Sequence, residues 1–161
     1  MIRVNFIFSL LLLISFTGIS QDAYDLTLLE SVFPKTLNGC KLENEKQSKF
    51  LETKEMTVAL VYGLYKSKKL IIEVSLFDYL DSKNAYSEAT KVINDVQNSD
   101  SIEIIELEGK KGFLQKEKQE EVQYLKLKWK DRYFLVLEVS GKVEKEQIIK
   151  IIQELELSRL N

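Results

Sequence analysis

Asp78 and Asp81 stand where a strand-like run ends and a helix-like run begins. Two carboxylates at such a junction could hold Ca²⁺ or take part in acid–base chemistry. The same spacing suits a plainer arrangement, with Asp81 capping the helix and Asp78 facing water beside a turn. Further along, Asp131-Arg132 reads as a tight turn leading into Tyr133 and Phe134, and a guanidinium placed there is able to clamp a carboxylate. Tyr65 lies in another strand-like run rich in aromatic and β-branched residues. Tyr65, Asp78, Arg132, Tyr133 and Phe134 are therefore the candidate ligand-binding residues. Tyr62, Phe77, Tyr79, Tyr86, Tyr124 and Trp129 extend the set of aromatics that either line a cleft between sheet and helix or pack the core. Lys126, Lys128 and Lys130 alternate along one run, forming a basic stripe for an anionic partner or simply the wet face of a strand.

Much familiar chemistry is excluded. The chain has no His and a single Cys, Cys40. Ser-His-Asp and Cys-His triads and His-ligated zinc are impossible, and one thiolate cannot build a metal site. Neither G-x-x-x-x-G-K-[ST] nor G-x-G-x-x-G occurs, so no phosphate loop of either kind is present. No cofactor and no metal is expected. A lone Cys forms no internal disulfide, and Cys40 reads as a small buried residue, with an intermolecular disulfide or reactive thiol as the alternatives.

The elements that must position these residues follow from hydrophobic periodicity. Leu28, Leu29, Val32 and Phe33 make one face of a first helix, capped by Asp25 and ended by Pro34 and Asn38-Gly39. Residues 43–54 are polar and read as a loop or an exposed strand. Residues 56–65 and 70–78 form a hairpin across the polar turn 66–69. Ala85, Ala89, Val92, Ile93 and Val96 predict a helix over 82–97, with Asp81 or Ser82 as N-cap. Strands follow over 101–108, 113–118, 122–130 and 133–139, and a last helix runs from Lys145 to Leu155. The order predicts an α+β fold: an antiparallel sheet of five or six strands with two or three helices packed mainly on one face. Phe134 and Val136 occupy one face of the last strand while Tyr133, Leu135 and Leu137 occupy the other. A second layer, or a partner, must cover the extra face.

The opening residues carry one positive charge, Arg3, before the apolar run Phe6–Phe16. A spanning helix needs about 20 apolar residues, so this run predicts a cleaved signal peptide over 1–20, cut between Ser20 and Gln21. Residues 21–161 then form a single domain. Losing Arg3 changes the formal charge from −2 to −3, and so mild an acidity gives no reason to expect nucleic acid.

Tyr65 through Asp78, Glu108-Gly109-Lys110-Lys111-Gly112, Asp131 through Val136 and the ending Leu155 through Leu160 together resemble an uncharacterised kind of exported bacterial α+β domain. The layout resembles that of PsbP-like and Mog1-like domains. The resemblance implies the fold and an exported location, and no catalytic residue comes with it.

The expected function is a non-enzymatic binding or accessory module of the cell envelope, periplasmic or secreted. Its partner would be a small molecule or an envelope protein, with no transmembrane anchor after cleavage. An envelope hydrolase built on Asp78, Asp81 and a Lys or Tyr is one alternative. A self-associating subunit using Cys40 or an apolar sheet face is another.

Overall fold

The computed structural model describes residues 25–53, 56–80, 82–117 and 121–160. The predicted signal segment lies outside these residues, as does Asp81. Helix α1 spans Leu26–Ser31, and Asp25 accepts the Leu28 N–H at 2.9 Å, as its capping role requires. Strands β1 (Thr36–Leu37), β2 (Cys40–Leu42) and β3 (Gln47–Glu52) follow, then the long pair β4 (Thr57–Lys66) and β5 (Ile71–Asp78). Helix α2 spans Lys83–Asp95, and Ser82 at its N-cap makes no side-chain cap bond. Strands β6 (Ile102–Leu107), β7 (Lys110–Glu117), β8 (Val122–Trp129) and β9 (Tyr133–Ser140) come next. Helix α3 (Lys145–Glu154) opens with a capping box between Glu144 and Gln147 and ends before a single 3₁₀ turn at Leu157–Arg159.

All nine strands join one antiparallel sheet in the order β1-β2-β4-β5-β9-β8-β7-β6, with β3 pairing β4 beside β2. The α+β class and the antiparallel sheet agree with the sequence, but the sheet is larger than five or six strands. The additional strands are the short β1 and β2, together with β3, which takes up the strand alternative for residues 43–54. Asn38 and Gly39 both adopt positive φ (48° and 75°) and turn β1 back onto β2, so the pair read as a helix stop is a hairpin turn.

The helices do not share one face. Strand register places Ala59, Val61 and Tyr65 of β4 beside Asp78, Leu76 and Ile72 of β5, and these beside Tyr133, Leu135 and Val139 of β9. This face is covered by α1 and α3 through Leu29, Val32, Phe33, Ile148, Ile151 and Ile152. Alternation puts Val58, Phe77, Phe113, Phe134 and Val136 on the opposite face, where Tyr86 and Ile93 of α2 pack against them. The covering layer demanded by the two-sided last strand is thus α2.

β6 ends the sheet, and its outer edge is guarded. Ser99 exchanges two backbone bonds with Ile102, at 2.8 and 3.3 Å, and the Asn98 side chain accepts the Ile104 N–H at 2.7 Å. An unguarded apolar edge recruits other strands. Asn98→Ala is expected to lower stability by about 1 kcal/mol and to produce concentration-dependent dimers on sizing chromatography. A variant that stays monomeric at high concentration would show that Asn98 is not the guard.

Candidate functional site

The carboxyl end of β5 meets the β8–β9 turn, and the meeting is ionic. Arg132 donates from Nε to Asp78 Oδ1 at 2.5 Å and from Nη2 to Oδ2 at 2.6 Å, a two-pronged clamp. Asp78 Oδ1 also accepts the Leu80 N–H at 2.9 Å, and the Tyr79 N–H bonds the Arg132 carbonyl at 3.1 Å. The Asp78 side chain is 1% exposed and that of Arg132 34%. The guanidinium also lies over the Tyr133 ring, 5.1 Å from its centre. Asp78 therefore does not face water, and both of its oxygens are engaged in holding the turn to the end of β5.

Four of the five candidate residues gather at this end of the sheet, on two different faces. Tyr133 stands opposite Asp78 on the face of α1 and α3, whereas Phe134 points to the α2 face and packs on Phe77 at 6.1 Å between ring centres. Tyr65 is elsewhere. It pairs with Ile72, six residues along β5 from Asp78, or about 20 Å at roughly 3.3 Å per residue. There it is buried and donates its hydroxyl to the Pro34 carbonyl at 2.9 Å, tying β4 to the segment after α1.

On the α2 face, beside this end, lies a groove of about 330 Å³ lined by Lys83, Tyr86, Ser87, Thr90, Lys128 and Asp131. Helix α2 supplies four of these residues at helical spacing, and the β8–β9 hairpin supplies the other two. The groove has a rigid floor. Tyr86 donates its hydroxyl to the Lys130 carbonyl at 2.6 Å and meets Tyr79 edge-on at 5.7 Å, and buried Thr90 donates to the Tyr86 carbonyl at 2.8 Å. Lys128 extends over the Tyr86 ring at 5.8 Å, and Lys126 lies over Phe113 at 5.7 Å. Lys126 and Lys128 of the basic stripe thus hold their ammonium groups over aromatic rings. No carboxylate among the described residues lies within ion-pair distance of Lys83 or Lys128. Lys83 and Ser87 carried no signal of their own in the sequence, because an exposed Lys or Ser on a helix is ordinary. Tyr86 and Lys128 were legible as an aromatic and a stripe member.

Burial, and secondarily the Asp131 carboxylate, pushes the Tyr86 hydroxyl up to about 12. Burial likewise raises Tyr62, Tyr65, Tyr79 and Tyr133, with the bond to Glu73 adding to the effect at Tyr62. A tyrosine that binds its proton more tightly when folded contributes stability that is fully present below its unfolded value near 10. Stability is expected to fall as the pH rises from about 10 to about 12, with phenolate absorbance lagging until the chain unfolds. A smooth titration near 10 with the fold intact would contradict this.

Cys40 is fully buried. No group of three or more Cys, Asp or Glu suited to a metal ion occurs among the described residues, and no helix among them is long and apolar enough to cross a membrane. In comparisons with known proteins, no family model, no curated protein and no solved structure matched the chain.

Proposed function

We propose that this chain is an exported, non-enzymatic binding or accessory module of the cell envelope, with its ligand site in the groove between α2 and the β8–β9 turn. The observation that carries the reading is the pair of lysines, Lys83 and Lys128, lining one groove with no carboxylate within ion-pair distance among the described residues. Surface lysines ordinarily point apart into water, whereas these two share a hollow with a fixed floor. Asp78, the carboxylate best placed for catalysis, serves the fold instead, which favours binding over turnover. The resemblance to exported α+β domains belongs to the same proposal and adds no catalytic residue to it.

Two experiments test the reading. Cell fractionation with N-terminal sequencing is expected to find a product beginning at Gln21 in the envelope or the medium, and an intact Met1 in the cytoplasm would overturn export. Native mass spectrometry of the secreted chain, with amide shifts mapped on residues 83–90 and 128–131, is expected to find a small molecule in the groove. Turnover of a substrate in a broad activity screen would overturn the non-enzymatic reading.

A further inference from the structure

We infer that the groove takes an anionic group, a carboxylate or phosphate monoester, carried on a hydroxylated body such as a sugar acid or polyol phosphate; this rests on the binding-module reading and names its ligand class. Of the six lining residues none is aliphatic, and the only ring, that of Tyr86, is 6% exposed and already overlaid by the Lys128 ammonium. Each of the six side chains carries a polar or charged group, so the lining selects by charge and hydrogen bonds, and the ligand is one that carries such groups. Lys83 and Lys128 against Asp131 leave the lining one positive charge in excess. Two ammonium groups supply charge-assisted donors for a single anion. Among the described residues neither ammonium has a carboxylate within ion-pair distance to lose when the ligand arrives.

Asp131 gives the site its second half. Its carboxylate accepts hydrogen bonds and donates none, so it repels a bare dianion and favours a ligand with hydroxyl donors set back from its charge. Ser87, on the exposed turn of α2, adds a hydroxyl that both donates and accepts. Thr90 is spent, since it is buried and its hydroxyl bonds the Tyr86 carbonyl. The lining thus offers two cationic donors, a carboxylate acceptor and a small hydroxyl around a groove of about 330 Å³.

Amide-shift titrations of the secreted full-length product distinguish the outcomes, using glycerol 3-phosphate, gluconate, inorganic phosphate and uncharged glycerol as probes. Saturable shifts confined to residues 83–90 and 128–131 are expected with the first two. Weaker shifts are expected with inorganic phosphate and none with glycerol. Lys83→Ala and Lys128→Ala are each expected to weaken binding about tenfold, and Asp131→Asn to tighten inorganic phosphate relative to glycerol 3-phosphate. Affinity should also fall as salt is raised. Equal binding of glycerol, or lysine variants that bind as well as the parent, would overturn the anionic class. A neutral molecule found in the groove by mass spectrometry would do the same while leaving the binding module standing. An empty, unresponsive groove with a ligand seated elsewhere would overturn the site itself.

Discussion

Asp78→Ala is expected to lower the unfolding free energy by about 3 kcal/mol, and Arg132→Met by a similar amount. Each single change strands a partner. Without Asp78, the Arg132 guanidinium and the Leu80 N–H lose their acceptors; without Arg132, a carboxyl group that is 1% exposed loses its counter-ion and two hydrogen-bond donors. Leaving a buried charge unpaired is the costly event, whereas replacing both partners by apolar groups is often close to neutral. The double variant Asp78→Ala with Arg132→Met is accordingly expected to lose clearly less than the sum of the single losses, with a coupling of about 1.5 kcal/mol or more. Urea denaturation of the four proteins reads this directly. Additive losses would mean that the two side chains act on stability independently, and that the turn is held by the backbone bond from Tyr79 to Arg132 alone. The outcome also bears on function: a large coupling places Asp78 in the scaffold, and the groove variants Lys83→Ala and Lys128→Ala should leave that coupling unchanged.

The interior of the fold was legible because periodicity is a local signal. The six strands from β4 to β9 were legible, β5, β8 and β9 by alternation and the others by β-branched and aromatic runs set off by turn residues, and α2 and α3 appear within a residue or two of the helices that Ala85 to Val96 and Ile148 to Leu155 predict. The strands that went unread, β1 and β2, are short and lie at the sheet margin, where two or three residues carry no period, while the polar sequence of β3 leaves loop and strand open. Asn38-Gly39 misled because the same dipeptide ends helices and turns hairpins, and only the pairing of Leu37 with Cys40 decides between them. The Asp78–Arg132 clamp joins residues 54 apart in the chain, so no local pattern announces it, although each residue could be singled out by type. The groove was legible in part. Tyr86 and Lys128 drew notice, but Lys83 and Ser87 become site residues only through the seating of α2 against β8, which no spacing within α2 encodes. The sidedness of the helices had one readable clue, the apolar residues on both faces of β9.

That clue leads to the last expectation. Phe134→Ala should lower stability by about 3–4 kcal/mol, and Phe134→Leu by much less. The ring is 8% exposed and packs with Phe77, Phe113, Tyr86 and Ile93, so its truncation opens a cavity under α2 and leaves the opposite face untouched. The loss should therefore be local in character. Amides of α2 are expected to exchange hydrogen markedly faster in Phe134→Ala, while those of α3, packed on the other face through Ile148, Ile151 and Ile152, slow or quicken only with global stability. Because Lys83, Tyr86, Ser87 and Thr90 ride on α2, the groove should lose its ligand in parallel with that local loosening, even though Phe134 does not line it. If binding fell with α2 exchange unchanged, Phe134 would have to touch the ligand itself. If exchange quickened equally on both faces, the two clusters would be one cooperative core, and α2 would not be a separately seated layer.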